Sequence, residues 1–354
     1  MNHPYVNLPS EAFWRSGVAE VSALELEAIY TPRFPILKSS RIAAAGSCFA
    51  QHIGRQFKSR GYGFLDVEPA PALLAKESWD RFGFNMYSAR YGNVYSARQL
   101  LQLFQRAAGT FTPQEECWEK NGRFFDPFRP SIEPNGFESR AEMEKDRAYH
   151  LAAVKTLLEQ ADLFVFTFGL TEGWECLSDG AALPTCPGTI AGEYDDQRYG
   201  FRNFTYPEVL ADFEAFMDLA RAINPDLKFL ITVSPVPLTA TASGEHVLAA
   251  SSYSKSVLRA VCGDLKTRHD CVDYFPSYEL VSSHPMRAMF FRPNLRSVSP
   301  VGVAHVMETF FEAHGDQADV SSLVETGPPV SPVDRVPDED DVACDEVILE
   351  SFGR

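Results

Sequence analysis

The sequence predicts an α/β fold in which a parallel β-sheet carries helices on both faces. Short apolar segments of strand length alternate with amphipathic segments of about 15 to 20 residues, and this alternation recurs along the chain. Strands joined by helices of this length run parallel, and a parallel sheet needs cover on both faces. With 354 residues, 45% of them hydrophobic, the chain is long enough to bury a large core.

The first strand–helix unit is the stretch RIAAAGSCFAQHIGRQF. Its apolar start is typical of a buried strand. The continuation places Phe49, Ile53 and Phe57 four residues apart, which puts them on one face of a helix. Gly61 or Gly63 is placed to end that helix. The unit is therefore predicted to be a strand, a turn and a helix.

The same unit recurs further along the chain, each time as an amphipathic helix that leads into a strand. The helix–strand pairs are AEMEKDRAYHLAAVKTLLEQA with DLFVFTFG, PEVLADFEAFMDLARAINP with DLKFLITVSP, and SKSVLRAVCGDLKTRH with CVDYFPSYE. The segment VSPVGVAHVMETFFEAHG is predicted to be a closing helix. Reactive groups of such folds lie at the carboxyl ends of the strands.

Two segments depart from this pattern. Residues 66–135 form an insertion rich in aromatic residues, proline and glycine, and we expect it to be ordered because long loops in compact domains are usually functional. Residues 316–354 are acidic and rich in proline, which predicts a disordered tail. The folded domain is therefore predicted to span residues 1–315.

Composition narrows the class of protein. The net charge of -16 argues against nucleic acid as a partner. The sequence contains neither a signal-peptide pattern nor an apolar run long enough to span a bilayer, so a cytoplasmic location is expected. The seven cysteines have no zinc spacing, and no nucleotide motif is present, so neither a metal nor a cofactor is expected. The oligomeric state stays open.

Ser47 lies at the predicted turn between the first strand and its helix. Gly46 permits a tight turn there, which would aim the Ser47 hydroxyl into the crevice at the end of the sheet. A serine in this place is a nucleophile if a base takes its proton and N–H groups hold the oxyanion. The alternative is that Ser47 only caps the helix, which is a common role of serine.

The motif of residues 46–50, GSCFA, spells the name of the GSCFA family, which is similar to the SGNH/GDSL hydrolases. Further stretches resemble the same family: NMYSARYGNVYSARQLLQL, FTFGLTEGWE, TVSPVPLTAT, SYSKSVLRA and DYFPSYELVSSHP. The resemblance covers roughly residues 30–314. It implies a three-layer α/β/α, flavodoxin-like fold and the activity of an ester hydrolase or an acyltransferase.

The resemblance also implies a nucleophile and an oxyanion hole. It assigns the nucleophile to Ser47. The second motif of SGNH enzymes supplies a glycine donor, for which Asn85, Gly92 and Asn93 are the candidates. The third motif supplies an asparagine, but this chain reads Gly169, Leu170, Thr171 and Glu172 at the matching positions. Thr171 or a backbone N–H of that turn would have to donate instead.

The resemblance places the general base at His284, just after the last strand. SGNH enzymes carry an aspartate three residues before this histidine, where this chain has Val281. The acid must then come from elsewhere, and Asp273, Glu279 and Glu172 are the candidates, with Asp273 favoured.

Two other side chains compete for catalytic roles. His246 follows the TVSP strand end and is the second choice for the base. Cys48 stands one helical turn before His52, which permits a thiol nucleophile, and the helix N-terminus would lower the thiol pKa. Cysteine directly after a nucleophile more commonly faces the core, so Cys48 is expected to pack.

The sequence thus predicts a serine esterase or O-acyltransferase that forms an acyl-enzyme on Ser47. The substrate is expected to be a small-molecule or glycan ester, since Tyr87, Arg90, Tyr91 and Tyr95 of the insertion suit either packing or stacking on a sugar ring. The alternative is a binding protein without catalysis, which the missing asparagine and aspartate favour.

Overall fold

The structure is a computed structural model that describes residues 3–26, 28–316 and 345–353. The predicted disordered tail therefore lies outside the described residues over 317–344. At its end the structure differs from the prediction, because Asp345–Phe352 form a 3-10 helix, called here the C-terminal helix.

The chain divides into two compact units. The sheet unit comprises Leu37–Tyr274 and Val342–Arg354, and the smaller unit comprises Met1–Ile36 and Phe275–Asp341. The C-terminal helix therefore belongs to the sheet unit.

In chain order, the elements of the sheet unit up to Tyr274 are β1 (Arg41–Gly46), α1 (Phe49–Ser59), β2 (Gly63–Phe64), α2 (Ala97–Ala108), β3 (Trp118–Lys120), β4 (Arg123–Phe125), α3 (Arg140–Gln160), β5 (Leu163–Phe168), β6 (Glu172–Cys176), β7 (Ala182–Leu183), β8 (Tyr199–Asn203), α4 (Tyr206–Ile223), β9 (Lys228–Val233), α5 (Val247–Arg268) and β10 (Val272–Tyr274).

The central sheet has five strands in the order β10-β9-β5-β1-β2, and every neighbouring pair is parallel. The predicted α/β fold with a helix-flanked parallel sheet is confirmed. Each of the four longest predicted strand segments forms one of these strands, because their apolar residues are buried on both faces of the sheet.

The core beside β5 is aromatic. Phe164, Phe166 and Phe168 alternate with smaller residues, so all three point to the same face of the sheet. There they contact Phe213 and Phe216 of α4, with ring centroids 5.0 Å apart for Phe168–Phe213 and 5.2 Å apart for Phe164–Phe216. The alternation LFVFTF therefore holds α4 on this face.

The predicted insertion is ordered and contains α2 and the hairpin of β3 and β4. Helix α2 begins at a capping box: Ser96 Oγ accepts a hydrogen bond from Gln99 N–H, and the Gln99 side chain accepts one from Ser96 N–H. It ends at Gly109, whose φ of 74° is in the left-handed region.

A buried ion network fixes the insertion to α3. Arg129 pairs with Asp126 at 2.9 Å and with Asp146 at 2.5 Å, while Arg90 pairs with Asp146 at 3.0 Å and with Glu133 at 2.5 Å. Arg147 of α3 also pairs with Asp126, at 3.0 Å. Arg90 is thereby occupied by carboxylates of this chain, and the segment that it belongs to is held in place.

The strands β7, β6 and β8 form a separate antiparallel sheet. No strand was predicted for any of its three members, because the surrounding segment is rich in turn residues. This sheet carries Glu172 and Trp174 on β6, so it forms one wall beside the carboxyl end of the central sheet.

In the smaller unit the two longer helices are α6 (Ser277–Ser282) and α7 (Pro300–Ala313). The predicted closing helix corresponds to α7, which begins with Ser299 as its cap, since Ser299 Oγ accepts a hydrogen bond from Gly302 N–H. Tyr30 stacks on Phe310 of α7 with a centroid distance of 6.0 Å.

Across the described ranges, no helix combines the length and the apolar character that crossing a bilayer requires. The six cysteines of those ranges are free thiols. The same ranges contain no group of three or more His, Cys, Asp or Glu side chains placed to hold a metal ion.

Candidate active site

Ser47 lies between β1, which ends at Gly46, and α1, which begins at Phe49. Gly46 has a φ of 146°, and a Cβ atom there would lie 2.6 Å from the carbonyl oxygen of Thr167 on β5. The same oxygen accepts the Ser47 N–H at 3.2 Å. The turn can therefore be this tight only because residue 46 is glycine.

Replacing Gly46 with alanine is expected to destabilise the sheet unit by about 1–3 kcal/mol or more, because it adds a contact with backbone to an unfavourable φ. Thermal unfolding of the full chain measures the loss. The matched control is Gly61→Ala, whose φ is 75° with no atom within 4 Å of the added Cβ. An equal loss in both variants would contradict the steric argument.

The Ser47 hydroxyl is buried, with only 3% of the residue exposed, and its Oγ has no hydrogen-bond partner among the residues that the structure describes. It does not cap α1, since Cys48 occupies the cap position and makes no side-chain cap bond. Helix capping, the alternative role considered for Ser47, is therefore absent. A buried hydroxyl without a partner costs about 1–3 kcal/mol, so its presence calls for a functional reason.

Gly169 packs directly against Ser47. A Cβ atom on Gly169 would lie 2.8 Å from Ser47 Cβ and 3.1 Å from the carbonyl oxygen of Tyr95. That oxygen accepts the N–H groups of both Gly169 and Leu170 at 3.0 Å. The buried ammonium of Lys255 donates to the Gly169 carbonyl at 2.7 Å. The structure thus brings the third-motif glycine to the predicted nucleophile.

Asn93 lies on the other side of this turn. Its neighbour Val94 donates its N–H to the Gly46 carbonyl at 2.9 Å. The Tyr87 hydroxyl lies 3.2 Å from the Ser47 carbonyl oxygen and 2.5 Å from Asn93 Oδ1. Gln51 Nε2 also donates to Asn93 Oδ1, at 3.3 Å. Because Oδ1 is held by these donors, Asn93 Nδ2 must point away from them.

Two of the predicted oxyanion donors have other hydrogen-bond partners. Asn85 accepts the Lys58 ammonium with both its backbone carbonyl, at 2.9 Å, and its side-chain oxygen, at 2.6 Å. Lys58 is in the last turn of α1, at the opposite end from Ser47, so Asn85 is wrong as an oxyanion donor. The Thr171 hydroxyl donates to Asn203 Oδ1 at 2.7 Å, and its role as an oxyanion donor stays a prediction.

The remaining second-motif candidate, Gly92, forms the turn before Asn93. Its φ of 69° is in the left-handed region, which glycine adopts without strain. Gly92 therefore shapes the approach of the segment to the end of β1. The side chain that this segment brings to the turn is that of Asn93.

Cys48 is buried, with 4% exposed, as expected for a packing role.

Asp273 does not lie beside Ser47. The register places it level with Leu230 on β9, Val165 on β5 and Ala44 on β1. Three strand spacings, about 14 Å, therefore separate Asp273 from β1, and Ala44 lies three residues before Ser47. Asp273 is buried and pairs with Lys266 at 2.8 Å. The structure does not support it as the acid of a triad with Ser47, and the reason is the edge position of β10.

The two histidine candidates have different surroundings. His246 caps α5, where its Nδ1 accepts the Leu248 N–H at 3.2 Å. That hydrogen bond engages Nδ1 of His246, and its role as the second-choice base stays a prediction. His284 belongs to the smaller unit, is exposed, and stacks on Trp14 with a centroid distance of 5.2 Å. Its role as the base stays a prediction.

A mostly apolar cavity of about 260 Å³ lies within the sheet unit, and its walls include Leu170, the chain neighbour of Gly169. Tyr95, Trp174 and Leu238 line it too. Glu172 also contributes to the walls, and its Oε1 accepts the Thr241 hydroxyl at 2.9 Å. Burial raises the pKa of Glu172, although the Thr241 hydrogen bond opposes this.

The raised pKa of Glu172 has a consequence for stability. Below the pKa of glutamate in the unfolded chain, about 4.3, both states are protonated and the group costs nothing. As the pH rises through the raised folded pKa, the buried carboxylate must ionise and stability falls. Glu172→Gln is therefore expected to lose less stability than wild type between pH 4 and pH 7.

Urea unfolding at both pH values measures this effect, with Glu193→Gln at an exposed position as the control. An identical pH dependence in wild type and Glu172→Gln would contradict the assignment.

Several residues of this site were not identified from the sequence. Gln51 and Lys255 lie within helical patterns, where polar residues are usually exposed, yet both are buried at the site. His150, assigned a packing or solvated role, is buried and holds Glu68 at 2.6 Å through Nδ1. The only sequence signal for Lys255 was its presence in the SYSKSVLRA stretch.

The fold and the site define an α/β protein with a serine at a strand–helix turn, at the carboxyl end of a strand of the parallel sheet. The GSCFA family model matches residues 41–310, and the chain belongs to the GSCFA family. Among solved structures, a crystal structure of an acetyl esterase mutant with acetate ion is similar at 9% identity and a TM-score of 0.35. The match covers 78% of this chain and 99% of that chain. No curated protein sequence matched.

Proposed function

We propose that this protein is a serine hydrolase that cleaves an acyl ester through an acyl-enzyme on Ser47. The observation that carries the proposal is the buried Ser47 hydroxyl, which has no partner among the described residues and stands where a strand ends and a helix begins. The helix dipole of α1 favours negative charge at this point, as an oxyanion requires.

Asn93 supports the proposal as a side-chain oxyanion donor. The third motif lacks the asparagine of SGNH enzymes, and the Thr171 hydroxyl is occupied. Asn93 reaches the same turn from the insertion, and Tyr87 links it to the Ser47 carbonyl. Its amide nitrogen donates to Asp345 Oδ2 at 2.9 Å, so Asp345 must leave before Asn93 can donate to an oxyanion. Loss of such a donor costs about 10²- to 10³-fold in kcat.

The cavity supports an acyl group as the ligand. Its volume of about 260 Å³ and its aromatic and aliphatic walls suit a short acyl chain better than a polymer backbone. The proposed substrate is therefore a small-molecule or glycan ester, with the acyl group in this cavity. The proposal includes transfer of the acyl group to an alcohol, such as a sugar hydroxyl, as well as to water.

One observation favours a second candidate, a binding protein without catalysis. Ser47 Oγ has no base as a hydrogen-bond partner among the described residues, and Asp273 is far across the sheet. The crevice would then bind an acylated ligand without cleaving it.

Covalent labelling tests the two candidates. The full chain is incubated with a small fluorophosphonate, digested, and analysed by peptide mass, beside His284→Ala, His246→Ala and Cys48→Ala. We expect one adduct on Ser47 in wild type and in Cys48→Ala, and its loss in the variant that removes the base. No adduct on the folded chain would favour the binding protein, and an adduct on Cys48 would make that thiol the nucleophile instead of the Ser47 hydroxyl.

A further inference from the structure

The chain's own C-terminal helix forms part of the wall of the 260 Å³ cavity in the sheet unit. Asp345, Ile348 and Leu349 contribute to the walls of the 260 Å³ cavity, next to Tyr95 and Glu172. The helix contributes both apolar side chains and one carboxylate. Ile348 and Leu349 add apolar surface, while Asp345 adds a carboxylate that is hydrogen-bonded to Asn93.

The Asp345 carboxylate is held by three neutral donors. Asn93 Nδ2 donates to Asp345 Oδ2 at 2.9 Å. The side chains of Tyr95 and Ser131 also hydrogen bond to the carboxyl group. The three donors are called here the carboxylate cradle. Burial raises the pKa of Asp345 in spite of these hydrogen bonds, since the three donors are neutral.

Most of the carboxylate cradle exists independently of the C-terminal helix. Asn93 is buried, and its orientation is set by Gln51 and Tyr87, which lie on α1 and the insertion. Tyr95 is buried as well, and its carbonyl is fixed by Gly169. If Asp345 leaves, the Asn93 amide still points into the crevice. An oxygen ligand that accepts from Asn93 Nδ2 would then take the place of the Asp345 carboxylate.

We propose that the carboxylate cradle is a binding subsite for a small monocarboxylate, and that Asp345 is a built-in competitor that occupies it. The inference rests on the proposed function in one respect: the natural monocarboxylate is the acid released by ester cleavage at Ser47. Its acyl chain extends into the adjacent cavity. The C-terminal helix then restrains both product binding and access to Ser47.

Chemical rescue tests the subsite directly. The full-length Asp345→Ala variant is unfolded thermally in sodium acetate or butyrate and in sodium chloride of equal ionic strength. We expect both carboxylates to raise its Tm over the chloride reference, with no such rise in wild type. Glu350→Ala, which removes an exposed carboxylate from the same helix, is expected to behave like wild type. Equal responses of all three proteins, or no response of Asp345→Ala, would overturn the proposal.

A second variant locates the ligand. Adding Tyr95→Phe to Asp345→Ala removes one hydroxyl of the carboxylate cradle and keeps the ring, so the fold is preserved while the carboxylate response should decrease. An undiminished response would place the ligand elsewhere and overturn the proposal.

The competitor role predicts that Asp345→Ala reacts with a fluorophosphonate about tenfold faster than wild type, since the variant lacks the hydrogen bonds between the Asp345 carboxylate and the carboxylate cradle.

The subsite and the proposed hydrolase can fail separately. The acetate response is also measured in Ser47→Ala/Asp345→Ala, because the cradle does not use the Ser47 hydroxyl. Carboxylate binding without any Ser47 adduct would retain the subsite and remove the hydrolase. A Ser47 adduct without carboxylate binding would retain the hydrolase and remove the subsite.

Discussion

Ser47→Ala is expected to lower ester turnover by about 10⁴-fold or more while the chain folds normally. The reason is that the substitution removes the atom that bonds to the acyl carbon, and the remaining donors can only polarise the ester for attack by water. Because Ser47 Oγ has no partner among the described residues, alanine breaks no hydrogen bond found there. The free energy of unfolding should therefore be unchanged or higher.

The measurement is the turnover of a 4-nitrophenyl ester by the full chain, with circular dichroism and urea unfolding to verify the fold. Thr167→Val is the matched control, because Thr167 Oγ1 is a second buried hydroxyl without a partner in the described part of the chain, at the same edge of the sheet. We expect Thr167→Val to retain turnover. Turnover by Ser47→Ala within about tenfold of wild type would contradict a nucleophilic role.

Asp126→Asn is expected to destabilise the sheet unit by about 3–5 kcal/mol. Asp126 is buried and pairs with Arg129 and Arg147. Burial alone would raise its pKa, but the charges of Arg129, Arg147 and Arg106 outweigh burial and hold the pKa far below the usual range. Asparagine keeps the shape and removes the charge, which takes one counter-charge from Arg147 and one from the buried Arg129, which retains Asp146.

The depressed pKa fixes the sign of the pH dependence. Asp126 stabilises the fold at every pH above its pKa in the unfolded chain, about 3.9, and the contribution decreases as the pH falls toward the folded pKa. The difference in unfolding free energy between wild type and Asp126→Asn should therefore decrease on acidification below about pH 4.

Urea unfolding from pH 3 to pH 7 measures both effects. The control is Glu144→Gln, which weakens the exposed Arg140–Glu144 pair on α3 and should cost under about 1 kcal/mol. A loss in Asp126→Asn no larger than that of the control would contradict a structural role for the buried ion network. The network holds the insertion that carries Asn93, the proposed oxyanion donor.

The repeating strands and helices of the central sheet were predictable because their pattern is local. The segments around β1, β5 and β9 bury both faces, and continuous apolar runs of strand length reveal this in the sequence. The antiparallel strands β6 and β8 were not predictable, because their partly buried residues include glycine and charged residues. Their pairing depends on contacts between segments far apart in sequence.

The site was predictable only where one motif determined it. Gly46 and Ser47 lie where the motif places them, since a strand, a tight turn and a helix are adjacent in sequence. Asp273 was misjudged because sequence order does not reveal that β10 lies at the edge of the sheet, three strands from β1. Asn93 could not be separated from Asn85, because the choice depends on which side chain reaches the end of β1. Asp345 was predicted to be in a disordered tail.

The most direct test of the central claim is to trap the acyl-enzyme. The full chain is mixed with 4-nitrophenyl acetate, quenched in acid before the intermediate hydrolyses, and analysed by intact mass and peptide mapping, with Ser47→Ala in parallel. The proposed mechanism predicts one acetyl group on the peptide that contains Ser47 and none at that position in the variant. Release of 4-nitrophenol without an acetylated chain, or acetylation that persists in Ser47→Ala to the same extent, would contradict it.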